Sequence, residues 1–184
     1  MDVSNFLQRK GNHKNLIAFQ KAECIYDMTC YFVGHYLPAI GDRTVDQMKQ
    51  AARSGKQNIA EGNEACTTSM ESGIKLMNVA KASLQELQED YEDYLKTRGH
   101  RQWEEGSVEL EAMRRIGREH SDGNYFMELA QTRPPETIAN MAIVLLKQAD
   151  YLLHKQIQRL SDDFVQEGGF SERMMRLRKK NRGY

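Results

Sequence analysis

Three features of the sequence predict an all-α fold. Apolar residues recur at spacings of three and four over long stretches, which is the period of a helix with one buried face. Clusters of β-branched residues with a period of two, typical of strands, are absent from the sequence. Only three prolines occur, so long helices are rarely interrupted. These patterns predict an antiparallel four-helix bundle with a helical excursion before the last helix and a basic C-terminal extension.

The first predicted helix follows a polar N-terminal arm, residues 1–14. It ends before Pro38, because the residue before a proline is pushed out of helical geometry. Its apolar stripe consists of Leu16, Phe19, Ala22, Ile25, Thr29, Phe32 and Tyr36. The bundle is therefore expected to span residues 15–168.

Two capping patterns predict where the second and third helices begin. Thr44 with Gln47 matches the capping box, in which the two side chains satisfy free N–H groups of the first turn. Thr68 with Glu71 repeats this pattern. Gly62 is expected to end the second helix, because glycine adopts the left-handed terminating conformation without steric cost.

The third helix, predicted from Thr68 to Leu95, carries a wide apolar stripe. A wide stripe indicates contacts on two sides, for example with the bundle core and with a neighbouring subunit. The outer side of this helix is strongly acidic from Glu86 to Asp93. The main stripe consists of Met70, Ile74, Met77, Ala80, Leu84, Leu87, Tyr91 and Tyr94.

The excursion, at about residues 99–133, has a weaker apolar pattern broken by glycines. A short helix is expected around Val108–Ile116, with Trp103 as its anchor. The last long helix is predicted to start at Pro134–Pro135, where a missing N–H costs nothing, and to end at Gly168–Gly169.

The composition limits the classes of function that the chain can serve. Its 26 Lys and Arg residues balance its 26 Asp and Glu residues, so overall charge does not imply attraction to nucleic acid. Cys24, Cys30 and Cys66 form no disulfide framework and are interpreted as reduced thiols. The sequence shows no signal peptide and no apolar run of about 20 residues. A cytoplasmic protein that does not enter the membrane is predicted.

Three stretches of the chain resemble a known family. The runs Gln47–Gly62 and Val79–Leu87 resemble the bacterial four-helix-bundle family named after the intervening-sequence proteins of large-subunit ribosomal RNA genes. Its superfamily includes the accessory variability determinant proteins of diversity-generating retroelements. The tail Gly168–Met174, followed by spaced arginines, resembles the longer subfamily with a C-terminal suffix. The resemblance covers most of the chain outside about 99–131.

This resemblance implies the same bundle fold and ring-like homo-oligomers, which are pentamers in characterised relatives. It also implies contact with RNA or with a reverse transcriptase, as in the shorter members. The chain departs from those members at Arg53, Gly55 and Ala82. The excursion and the suffix, residues 169–184, have no counterpart in them.

No metal, cofactor or catalytic activity is predicted. Di-iron bundles need Glu-x-x-His on two helices, and none of the five histidines has Glu three residues earlier. The cysteines lack Cys-x-x-Cys spacing. The carboxylate pairs between Glu86 and Asp93 have the spacing with which all-α pyrophosphohydrolases hold Mg²⁺, although such a run is typically a solvated face.

A helical ribonuclease is a less favoured alternative. Arg115 and His120 have the Arg-x4-His spacing of small helical ribonuclease toxins, in which His transfers protons and Arg steadies the phosphate. The pair lies in the excursion rather than on a core helix, and a surface Arg and His explain it equally well.

The signature residues Asn58, Glu61, Gly62 and Ser83 are interpreted mainly as structural. Asn58 is expected to bond within the bundle, Glu61 to pair with a neighbouring helix and Ser83 to allow close helix approach. The alternative is that Asn58 and Glu61 contact a partner or nucleic acid.

Two basic segments are the candidate phosphate contacts. Lys49, Arg53 and Lys56 form a stripe on the second helix. The suffix adds Arg173, Arg176, Arg178, Lys179, Lys180 and Arg182. The preferred prediction is a non-catalytic, oligomeric binding or scaffold protein that contacts RNA, DNA or a nucleic-acid enzyme. The alternative is a purely structural homo-oligomer or protein-partner module, in which the suffix pairs with the acidic side of the third helix.

Overall fold

Seven α-helices and one short 3-10 helix make up the part of the chain that the structure describes. The computed structural model describes residues 12–37 and 43–181, which contain no β-strand. The predicted all-α class is confirmed. The helices are α1 (Ile17–Tyr36), α2 (Arg43–Ala65), α3 (Met70–Thr97), α4 (Val108–Glu119), α5 (Gly123–Gln131), α6 (Pro135–Glu167) and α7 (Phe170–Asn181). The N-terminal arm predicted at 1–14 lies largely outside the described residues, and its end forms the 3-10 helix His13–Asn15.

The four long helices α1, α2, α3 and α6 contact one another in a cycle. α2 packs against α1 and α3, and α6 packs against the same two helices. Fully buried side chains from each helix form one apolar core, for example Phe32, Met48, Leu84 and Leu145. Inside this core, buried Tyr91 donates to the Thr29 hydroxyl, and the Thr29 hydroxyl donates to a backbone carbonyl of α1.

The start of α3 differs from the prediction by one residue. Ser69, not Thr68, caps the helix, and its Oγ accepts from Ser72 N at 3.2 Å. Thr68 is tied to the preceding turn, because its N–H and hydroxyl both donate to Ala65 O. Thr44 is not the N-cap of α2 as predicted, because the helix already includes Arg43.

Gly62 does not end α2, which continues to Ala65. A Cβ at Gly62 would lie 2.9 Å from Met77 Cγ and 3.0 Å from Gly73 O. The predicted terminator is therefore a contact residue, and the absence of a side chain is needed for close approach of α2 and α3 rather than for a left-handed turn.

Small residues bring α2 and α3 together along their length. A Cβ at Gly73 would overlap Cys66 Sγ and lie 2.7 Å from Gly62 O. A Cβ at Gly55 would lie 2.5 Å from Leu84 Cδ2. Glycine inside a helix costs about 1 kcal/mol relative to alanine, and here the close packing of two helices offsets that cost. We call this contact the α2–α3 seam.

The excursion, residues 99–133, contains two helices instead of the single short helix that was expected. α4 lies against α6, and α5 lies against α1. Its beginning is held by buried Asn140, whose Oδ1 accepts from Trp103 N at 2.8 Å and whose Nδ2 donates to Arg101 O at 2.9 Å. Trp103 also packs its half-buried side chain against the core.

The last two helices meet at a glycine turn. Pro135 begins α6, as predicted, and α6 ends before Gly168. Gly168 has a φ of 72°, which a residue with a side chain rarely adopts. Gly169 N donates to Glu172 Oε2 at 2.9 Å, which satisfies a free N–H at the start of α7. α7 lies outside the cycle of packed helices.

None of the helices between residues 12 and 37 or between 43 and 181 has both the length and the apolar character that crossing a membrane requires.

Candidate functional site

A polar groove of about 1060 Å³ lies on one side of the α2–α3 seam. We call it the α2–α3 groove. Its floor includes Ser54 and buried Ser83, whose hydroxyl oxygens lie 3.0 Å apart and share a hydrogen bond. Tyr26 of α1 also lines the groove. The remaining lining residues are Asp46, Gln47, Lys49, Gln50, Ala51 and Arg53 of α2, and Glu86, Glu89, Asp90 and Asp93 of α3.

The groove has a net negative charge. Five carboxylates, four of them on α3, face two cations, Lys49 and Arg53. Between the described residues, no ion pair within 4 Å joins either cation to an α3 carboxylate. Burial and the neighbouring carboxylates raise the pKa of Asp90 to about 6. Among the described residues, the groove carboxylates of α3 are therefore incompletely neutralised.

The predicted basic stripe of α2 is divided between two environments. Lys49 and Arg53 are exposed on the wall of the α2–α3 groove. Lys56 is half-buried, with Nζ 4.3 Å from the centre of the Tyr26 ring, a cation–π distance. Burial raises the pKa of nearby Asp27, and the charge of Lys56 opposes that rise. The three residues share a helix face but not one cationic surface.

The signature residues act within or beside the seam. Asn58 Nδ2 donates to Ser54 O at 2.9 Å and to Ser54 Oγ at 3.1 Å, so Asn58 bonds one turn back within its own helix. Glu61 is exposed and accepts from Gln57 Nε2 of the same helix at 3.2 Å. Among the described residues, no hydrogen bond or ion pair joins Glu61 to another helix, so its predicted pairing with a neighbouring helix is not observed. Ser83 lies at the close contact, as expected.

The suffix forms a helix whose last turn is cationic. Arg178, Lys179 and Lys180 are exposed there, and Glu172 is the one acidic residue of α7. Arg173 is half-buried and Arg176 is exposed, and both have interaction partners. Lys179 also lines a smaller depression of about 390 Å³ at the junction of α6 and α7. Arg182, another predicted phosphate contact, lies outside the described residues.

The residues of the ribonuclease alternative lie at different places in the excursion. Arg115 is exposed on α4, whereas His120 follows the helix as its C-cap. The His120 ring stacks on Tyr125, with ring centres 4.0 Å apart. No hydrogen bond between Arg115 and His120 is present among the described residues, so the geometry adds nothing in favour of this activity.

Sequence reasoning missed buried Lys21, which joins α1 to the excursion. Its Nζ donates to Gly117 O and, at 3.5 Å, to His120 O, at the C-terminal end of α4 where a positive charge is favoured. Burial lowers the pKa of Lys21. Burial also raises the pKa of nearby Cys24 to about 11, so this thiol is protonated at neutral pH. Because Lys21 lies outside the apolar stripe of α1, no sequence signal marks it as buried.

Within residues 12–37 and 43–181, no group of three or more His, Cys, Asp or Glu side chains is arranged to hold a metal ion. The α3 carboxylates are spread along a helix and do not converge on one point. Comparison of the chain with protein-family profiles, with curated proteins and with solved structures finds no match. The resemblance to the intervening-sequence protein family therefore stays a prediction.

Proposed function

We propose that this chain is a non-catalytic binding module whose helix α7 contacts nucleic acid. The supporting observation is the exposed cationic turn Arg178–Lys180. Lysine and arginine neutralise phosphates and release counterions, which makes such binding strongly dependent on salt. α7 is preferred over α2 as the contact, because Lys49 and Arg53 share their groove with five carboxylates.

The bundle is the proposed scaffold that presents α7. We infer that α1, α2, α3 and α6 form the antiparallel four-helix bundle expected from the sequence. The support is their cycle of contacts, together with the bond of 3.0 Å between Gln85 of α3 and Asp150 of α6. The end of α3 meets the start of α6, where His100 lies 3.6 Å from Glu136, so these two helices run in opposite directions.

We further propose that the protein is cytoplasmic and self-associates. Exposed apolar side chains such as Val79, Tyr151 and Val165 support a subunit contact. A ring, and a pentamer in particular, is the expectation from the family resemblance. Repetition of α7 around a ring would add the fields of several cationic turns.

The test is a titration of labelled RNA and DNA with purified protein at two salt concentrations, about 50 mM and 200 mM. The variant Arg178→Glu/Lys179→Glu/Lys180→Glu is expected to bind at least about 10-fold more weakly at low salt. The salt dependence is also expected to be shallower by about two or three released counterions, because each phosphate contact contributes about one.

The matched control is Arg118→Glu/Lys147→Glu/Arg159→Glu, which makes the same change of charge at exposed positions on α4 and α6. This control is expected to bind RNA and DNA more tightly than the α7 variant does. Equal losses in the two variants would show that overall charge, not α7, governs binding. Absence of binding by the parent at low salt would remove the proposed function.

A further inference from the structure

The α2–α3 groove and α7 are complementary in charge and in length. Along α3 the groove extends from Ser83 to Asp93, about 15 Å at the helical rise of 1.5 Å per residue. The cations of α7, from Arg173 to Lys180, cover about 11 Å. The α3 wall offers four carboxylates, whereas α7 carries five cations and one acid.

A helical α7 cannot reach the groove of its own chain. Asp150 of α6 lies beside Lys81 and Gln85 of α3, which fixes the alignment of the two antiparallel helices. From Asp150, α6 continues for 17 residues, about 25 Å, away from the acidic wall. Even if α7 turned straight back, Lys180 would remain about 15 Å short of Glu86 along the axis and farther from Asp93.

We propose that α7 of one copy docks into the α2–α3 groove of a second copy, with its cations against the carboxylates between Glu86 and Asp93. The contact supplies positive charge to a groove in which, among the described residues, five carboxylates face two cations. Reciprocal docking would close a dimer, whereas docking in one direction would repeat around a ring. The inference does not depend on the proposed nucleic-acid contact, although nucleic acid would compete with the groove for α7.

The test is a charge swap in the full-length protein. Variant one reverses two exposed groove carboxylates, Glu89→Lys/Asp93→Lys, and variant two reverses two exposed cations of α7, Arg178→Glu/Lys179→Glu. Sedimentation velocity at about 50 mM salt measures self-association. The parent is expected to self-associate, and each variant alone is expected to self-associate at least about 10-fold more weakly. The mixture is expected to regain association, because the basic groove of variant one accepts the acidic helix of variant two.

The control variant, Glu64→Lys/Glu128→Lys, reverses two exposed carboxylates outside the groove and is expected to associate like the parent. A monomeric parent, or a reversal that leaves association unchanged, would overturn the docking. The docking would also be overturned if the mixture associated no more tightly than its separate components. It would be overturned as well if the control variant lost as much association as variant one.

Nucleic-acid titration of the same variants separates the two proposals. Variant one keeps its cationic α7 and is expected to bind nucleic acid at least as tightly as the parent, whereas variant two is expected to lose binding. Rescue in the mixture without nucleic-acid binding would leave the docking and remove the proposed function. Nucleic-acid binding without rescue of association in the mixture would leave the proposed function and remove the docking.

Discussion

The α2–α3 seam and the excursion are attached to the rest of the molecule in different ways. The seam depends on the absence of side chains at Gly55, Gly62 and Gly73, so that their backbone meets the backbone or a side chain of the opposite segment directly. The excursion depends strongly on two buried polar side chains, Asn140 and Lys21, which bond its backbone. Steric contacts resist any added atom, whereas individual hydrogen bonds can be lost one at a time.

This difference predicts whether a mutation lowers the stability of the whole molecule or only that of one segment. A change in the seam alters the spacing of two core helices and therefore the stability of the whole cooperative unit. A change at an anchor of the excursion is expected to release mainly the segment that the anchor holds.

The largest effect is expected for Gly73→Ala. The new Cβ would overlap Cys66 Sγ and lie 2.7 Å from Gly62 O and 3.0 Å from Cys66 N, and the backbone atoms cannot swing aside. We expect a loss of about 2–3 kcal/mol in the free energy of unfolding, as for overpacked cores. Urea denaturation followed by circular dichroism measures it.

Gly34→Ala is the control for helix propensity. Gly34 lies in α1, and no described residue lies within 4 Å of an added Cβ, so alanine should stabilise the protein by about 0.5–1 kcal/mol. If Gly73→Ala is as stable as the parent, the seam does not depend on close backbone approach.

A smaller and more local effect is expected for Asn140→Leu. The change leaves Trp103 N and Arg101 O without their side-chain partner, at a cost of about 1–3 kcal/mol. Hydrogen exchange should accelerate at amides 101–119 while the buried amides of α3 keep their protection. Asn78→Leu is the control, because the hydrogen bond of exposed Asn78 goes to Ile74 O of its own helix and not to the excursion. Uniform acceleration in all helices would show that the excursion is not a separate unit.

The sequence predicted those features of the fold that depend on neighbouring residues. The apolar period located the long helices, and local backbone chemistry placed the start of α6 at Pro135 and its end before Gly168. Gly62 was misinterpreted because its neighbour in space, Gly73, lies on another helix. Lys21 escaped notice for the same reason, since its partners are about a hundred residues away in the chain.

The candidate site was predictable only in part. The sequence shows the cations of α2 and the carboxylates of α3 as separate stripes, each with a helical period. Whether the two stripes face each other depends on the rotation of each helix about its axis, which tertiary packing decides. The placement of Lys49 and Arg53 opposite Glu89 and Asp93 could therefore not be read from spacing.

The smallest effect is expected for Asp90→Asn, which tests the charge of the groove beside the seam. The pKa of Asp90 is raised from 3.8 to about 6. Between these two pH values, the native protein therefore holds a proton that the unfolded chain has released. The contribution of Asp90 to the stability of the parent should therefore be lost as the pH rises from about 4 to about 6, and should not change further above that range.

Asp90 is half-buried, and solvent screens its charge. The free energy of unfolding of Asp90→Asn should therefore exceed that of the parent by only about 1 kcal/mol at pH 7, and the two should be equal near pH 4. Glu64→Gln removes a carboxylate outside the groove and should show no such dependence. The groups that face Asp90 across the groove are Asp46, Lys49, Arg53 and Tyr26, with Glu86, Glu89 and Asp93 on its own helix. If the free energies of unfolding of the parent and Asp90→Asn differ by the same amount at both pH values, Lys49 and Arg53 already neutralise the carboxylates of α3. The groove then does not require cations from a second copy.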